Sequence, residues 1–192
     1  VQRVVEGVLS VRKDFYEKQR LPWDVGYWEE TGEELGEAIA KMEFLPPGRG
    51  LFAMGTDYVY QRGSMALFNC AATTLTDLPN DIGWLLDLLM CGVGVGIETT
   101  ADPIALQWPT GVPRLYVVPD SREGWVESHV LLLRSYVEGS GRVEFDYSQI
   151  RPEGAEMKGI GGYCSGADPL RQVHERTREI CERYLRGEYG PT

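Results

Sequence analysis

Apolar residues recur along this chain at two periods, and the switches between them outline a series of helices and strands. Val1, Val4, Val5, Val8 and Phe15 fall near helical spacing over the first 20 residues, which end before Leu21-Pro22-Trp23. Thr31 with Glu34 three positions on makes a capping box, followed by the stripe Leu35, Ala38, Ile39 and Met42. Pro46-Pro47-Gly48 stops that helix. The stretch "GRGLFAMGT" carries too many glycines for a helix and is expected as a loop. Residues 66–74 are mostly apolar, close on paired threonines, and are punctuated by Asp77 and Pro79, which predicts a strand. Asn80 to Cys91 predicts a helix with Trp84, Leu85, Leu88 and Leu89 buried and with Asp81 and Asp87 outside. Gly92-Val93-Gly94-Val95-Gly96 then reads as a second strand, and glycine inside a strand marks a bulge or a close approach to the backbone.

Further along, Leu115 to Val118 is a short strand, and Asp120 with Glu123 caps a helix running to about Val137. Trp125, His129, Leu132, Leu133 and Tyr136 share one face of that helix. Val143 to Tyr147 alternates as a strand. The glycine-rich loop "RPEGAEMKGIGGYCSG" leads to Asp168-Pro169, an N-cap with proline at the first helical position. The last helix takes Leu170, Val173, Thr177, Cys181 and Tyr184 as its buried stripe.

Strands alternating with helices predict an α/β fold with a mostly parallel sheet or barrel. The chain stops at "GEYGPT" directly after a helix, where a further strand is expected. About four strands cannot close a barrel, so the sheet edge needs cover from elsewhere. Val1 in place of Met implies a trimmed start.

Charge narrows the class of partner. Across 192 residues, 19 Lys and Arg stand against 29 Asp and Glu, a formal charge of −10, which argues against nucleic-acid binding by phosphate neutralisation. No stretch approaches the roughly 20 apolar residues of a membrane span. Cysteines at 70, 91, 164 and 181 follow no zinc or CxxC spacing, and no metal-ligating set appears. A cytoplasmic protein with reduced thiols is the expectation.

Residue by residue, bland and sharp readings stand together. A lone cysteine in an apolar strand is core by default. The run from Gly92 to Gly96 is not a dinucleotide fingerprint, since its third glycine comes one residue early and it follows a helix. Tight packing and ligand approach are equally open there. His129 and His174 read as core or boundary histidines. The loop from Arg151 to Gly166, with two cations and a helix N-terminus after it, suits an anion or is a flexible surface loop.

The combination is specific. "FLPPGRGLFAMGT", "ALFNC", "LLMCGVGVG", "PDSREGWVES" and "FDYSQIRPEGAEMKGIGG" in this order resemble the adenosylcobalamin-dependent ribonucleotide reductases, most of all the monomeric kind acting on ribonucleoside triphosphates. The resemblance implies a helical N-terminal region over residues 1–48. It implies that residues 49–192 are the first part of a ten-stranded α/β barrel, incomplete in this chain, with an inserted helical segment within about 101–136. It implies that Cys70 is one of a redox-active pair below the ribose, with Asn69, Val93 and Gly94 at the substrate. Cys91 has no counterpart role and is assigned to the core. Asp77 matches an effector-ribose contact, and Arg151 and Lys158 lie in the loop that handles effector phosphates.

By the same resemblance the partners are a ribonucleotide substrate, a deoxynucleotide effector, a thioredoxin-like reductant and a C-terminal portion of the same enzyme. That portion would carry the radical cysteine and most of the adenosylcobalamin site. The alternatives are a non-catalytic nucleotide- or partner-binding fragment regulating a full-length reductase, and, less favoured, another thiyl-radical barrel such as a glycyl-radical acyltransferase.

Overall fold

The structure, a computed structural model, describes residues 1–98, 104–157 and 162–188. The chain divides into two compact units. The first is Val1–Cys70 with Cys91–Val93; the second is Ala71–Met90 with Gly94–Thr192.

The first unit is helical. It holds α1 (Gln2–Lys18), α2 (Val25–Ala40), α3 (Gly48–Ala53), α4 (Asp57–Arg62) and a 3-10 turn over Gly63–Leu67. The expected capping box at Thr31 is corrected: α2 starts seven residues after α1 ends, with Asp24 as N-cap accepting from the Tyr27 amide at 3.1 Å. Thr31 lies inside the helix and its hydroxyl donates back to the Tyr27 carbonyl at 2.8 Å. The helix ends at Ala40, ahead of the prolines, with Met42 at φ 60°. "GRGLFA" is also corrected from loop to helix, and it stays under two turns. Arg3 on α1 donates to the Leu51 carbonyl at 2.6 Å and to that of Met54, supplying donors where α3 has no further amides. Ala53, Tyr58, Val59 and Ala66 form this unit's core. At the far end of α1, Tyr16, Trp23 and Trp28 pack ring on ring, with Arg12 over Tyr16 at 5.1 Å.

The second unit is mixed. It contains β1 (Cys70–Thr74, whose first residue closes the first unit), α5 (Leu78–Met90), β2 (Gly94–Glu98), β3 (Arg114–Val117), α6 (Arg122–Val137), β4 (Val143–Asp146) and α7 (Asp168–Leu185). Among the described residues the strands form two two-stranded sheets, β1 with β2 and β3 with β4. The second is parallel, pairing Arg114 with Val143 through Val117 with Asp146, and α6 supplies the crossover such a pair needs. The strand expected from residue 66 begins only at Cys70, because residues 63–67 turn as a 3-10 helix.

Leu132, Leu133, Tyr136 and Cys181 centre the core of this unit, with Leu78, Ile82, Leu106, Phe145 and Leu185 packed around them. On α5 the buried residues are Pro79, Gly83 and Leu88, while Trp84 and Leu89 are exposed, so the expected stripe is rotated. The helix turns Gly83 toward α6, where a side chain at that position would run into Val130. The cap of α6 is Ser121, accepting from the Gly124 amide at 3.0 Å, one residue past the expected Asp120. The inner stripe of α7 is Leu170, His174 and Cys181, and the expected Val173 and Tyr184 are exposed. Its cap position is Ala167 instead of Asp168. No described helix is long and apolar enough to cross a membrane.

Candidate active-site segments

Cys70 opens β1, Asn69 precedes it, and all three side chains from Phe68 to Cys70 are exposed. β2 pairs with this strand, which puts the thiol strand and the glycine strand in one sheet. No residue of either strand is buried. The sulfur of Cys70 is therefore open to solvent in this chain, not enclosed by a wall. With both faces of the sheet open, exposure alone does not separate an inner face from an outer one. The strands are fastened at their far end, where the Leu75 amide donates to the Glu98 carbonyl at 3.0 Å and Thr74 Oγ1 to Glu98 Oε2 at 3.1 Å.

Gly94 is exposed within β2, whereas Val93 just before it is buried. Val93 can meet a substrate only through its backbone. Cys91 is also buried, as a core residue should be, and so is Cys181, whose thiol burial pushes up to about 11. Cys164 sits in the loop, its backbone bonded to Gly154 and Ala155.

Asp77 stands at the turn between β1 and α5 and has a local job. It accepts from the Asn80 amide at 3.4 Å and from Asn80 Nδ2 at 2.7 Å, as an N-terminal cap does. Beside it Asp81 accepts from the amides of Asp77 and Thr76, each at 2.7 Å, and these bonds, Asp77's first, hold its carboxyl below the usual range. Asn80 Oδ1 in turn accepts from Arg134 on α6 at 3.3 Å. Asp77 remains exposed, with a cation one residue removed through Asn80.

Arg151 donates through Nε to Asp120 Oδ2 at 2.5 Å, and this bond holds its guanidinium above the ordinary value. Its neighbour in the expected phosphate site, Lys158, lies outside the described residues. Asp77 bonds to Asn80 and Arg151 to Asp120, so the sequence-expected effector residues are not gathered into one cluster among the described residues. A groove of about 530 Å3 between α1 and α2, lined by Val5, Leu9, Gly32 and Gly36 among others, involves none of them.

The two histidines are a closed system. Ser128 Oγ donates to the Trp125 carbonyl at 2.7 Å, which leaves its lone pairs for His174 Nε2–H at 3.1 Å. His174 Nδ1 then accepts from the Tyr147 hydroxyl at 2.7 Å. His129 stacks on His174 with ring centroids 5.8 Å apart, and its Nδ1 is buried without a partner. Burial holds His129 down to about 4 and His174 to about 3, with the charges of His129 and Arg178 adding to the latter. Neither ring is placed to serve as a base. Sequence reasoning also missed Arg49 and Tyr58, whose donors meet the carbonyls at the head of the glycine run.

Two family descriptions match this chain. "Ribonucleotide reductase alpha domain" covers residues 1–56, and "B12-dependent ribonucleotide reductase, insertion domain" covers residues 104–180. In these two stretches the chain is similar to the B12-dependent ribonucleotide reductases. It is 40% identical to the adenosylcobalamin-dependent ribonucleoside-triphosphate reductase of Euglena gracilis, over 99% of this chain and 27% of that protein. It is 35% identical to a probable reductase of the same name from Dictyostelium discoideum, over 96% of this chain and 27% of that protein. The chain thus spans about a quarter of the relatives it matches. A crystal structure of a B12-dependent, class II ribonucleotide reductase superposes with a TM-score of 0.74 at 24% identity, covering 93% of this chain and 33% of the other. That likeness establishes the mixed helix-and-strand fold. The insertion match reaches well beyond the 101–136 stretch expected from the sequence and takes in β3, α6, β4 and most of α7.

Relatives of this chain are named adenosylcobalamin-dependent, and the cobalt of that cofactor is held by its own corrin ring, so no metal-ligand cluster is required of the described residues. No group of three or more His, Cys, Asp or Glu converges among them. His174 has both ring nitrogens engaged, and His129 is buried against it.

Proposed function

We propose that this chain is part of a reductase converting ribonucleoside triphosphates to 2′-deoxyribonucleotides, and that Cys70 is one of its two reducing thiols. The observation that carries the reading is an accessible thiol at the start of β1, in the same sheet as a glycine strand whose exposed Gly94 leaves room for a sugar. In the whole protein β1 and β2 are strands of a ten-stranded α/β barrel, preceded by the helical region of residues 1–48 and interrupted by the insertion. Adenosylcobalamin, when bound, supplies the radical chemistry that activates the ribose. Asn69, the Val93 backbone and Gly94 hold the sugar. Cys70 and a second thiol together give up two electrons and two protons, the 2′-hydroxyl departs as water, and the thiols close to a disulfide. A thioredoxin-like dithiol reopens it in the cytoplasm. Asp77, with Lys158 and Arg151, contacts a deoxynucleotide effector.

Replacing Cys70 with Ser in the full-length protein tests this. Steady-state turnover with adenosylcobalamin and a dithiol should vanish while nucleotide binding stays nearly intact, because only an electron source is removed. Steady-state turnover equal to wild type overturns the assignment.

A further inference from the structure

Two side chains of the first unit converge on one short stretch of backbone. Arg49, at the start of α3, donates from Nη1 to the Cys91 carbonyl at 3.1 Å and from Nη2 to the Gly92 carbonyl. Tyr58 on α4, itself 7% exposed, donates its hydroxyl to the same Cys91 carbonyl at 3.2 Å. Cys91 and Gly92 directly follow α5 in the chain, where helical carbonyls run out of amide partners. A guanidinium is a planar fork able to bind two successive carbonyls at once, which an ammonium on a flexible stem does not reproduce. Gly92 has φ +75°, and a Cβ there would come within 2.5 Å of Arg49 Nη2. The glycine therefore serves the left-handed turn and the fork together. Buried Val93 follows at once in the same unit, so the backbone leading into it is held here.

We infer that Arg49, assisted by Tyr58, is a positioning residue for the ribonucleotide, acting through the Cys91-Gly92 backbone on Val93 and Gly94. The inference rests on the proposal that those two residues contact the ribose. Arg49 spends its donors on main-chain oxygens and acts on substrate only by where it places the next residues. Cutting the fork then weakens substrate binding and leaves the chemical step alone.

The test uses the full-length reductase with Arg49→Lys, Arg49→Ala and Tyr58→Phe. Both Arg49 variants should raise KM for the ribonucleotide about tenfold with kcat within about twofold, as loss of a charge-assisted bond in the ground state predicts. Tyr58→Phe, which keeps the fork, should raise KM about threefold. Added guanidinium ion should restore KM in Arg49→Ala and leave Arg49→Lys unchanged, since only the alanine variant vacates the site. A residue that merely holds the fold would lower the unfolding temperature and the active fraction with KM unaltered, and that result overturns the inference. Hydrogen exchange of the 91–98 segment gives a reading that needs no turnover: faster in Arg49→Lys if Arg49 positions it, unchanged if it does not. Failure of the redox assignment shows separately, as a Cys70→Ser protein that still turns over while the Arg49 variants keep their raised KM.

Discussion

In the β1–β2 sheet no residue is buried, whereas eight of the sixteen residues of α6 are. The sheet offers a thiol, small side chains and bare glycine backbone. α6 offers Leu132, Leu133 and Tyr136 to a core that also takes Cys181 from α7. The proposed chemistry and the packed core thus lie in different stretches of the chain. A segment with the proposed task of admitting a sugar ring keeps little side-chain bulk. An element with half its residues buried has the apolar area to hold itself and its neighbours together.

The sharpest way to break that contrast is at Cys70. Cys70→Ser should abolish multiple turnover and leave the unfolding midpoint in urea unmoved, since an exposed thiol gives up little packing. A large loss of stability would mean the strand is structural after all. Next comes Leu132→Ala, which removes a side chain with no exposed surface and should cost about 2–5 kcal/mol in urea unfolding. Third is acid. Burial holds His129 and His174 at about 4 and about 3, below the ordinary 6.5, so the unfolded chain takes up protons first as pH falls. Their contribution is whole above pH 6.5 and drains away as pH drops from there toward 4 and 3. Urea midpoints at descending pH read it. His129→Phe should flatten that limb, because the Nδ1 it deletes has no partner to lose. The smallest effect is expected at half-buried Val95 in β2, where truncation to Ala should cost less than about 1.5 kcal/mol by the same measurement.

Much of this was legible in the chain. Apolar periodicity located α1, α5, α6 and α7 to within a few residues, and the parallel β3–β4 pair followed from strands alternating with helices. Caps were read less well, because several polar residues satisfy the same pattern. Asp24 and Thr31 both precede apolar runs, and only the real course of the chain shows that Thr31 bonds back into its own helix. The stripe of α7 was misread at His174, whose ring counts as polar in a local window. Its burial depends on Ser128 and Tyr147, which are 46 and 27 residues away.

The same distance explains the site. Cys70 and the glycine run announce themselves by residue type. Arg49 does not, since its partners are main-chain oxygens 42 and 43 residues downstream, and a carbonyl leaves no mark in a sequence.

Gly83 on α5 carries one more consequence. Because Val130 fills the place where its side chain would go, position 83 cannot take a side chain unless residue 130 gives way. Position 83 lies outside both family matches and position 130 inside the insertion. A side chain gained at position 83 would thus call for a smaller residue in the inserted segment. A relative with a side chain at position 83 should therefore accept this chain's insertion only if residue 130 is made smaller along with it.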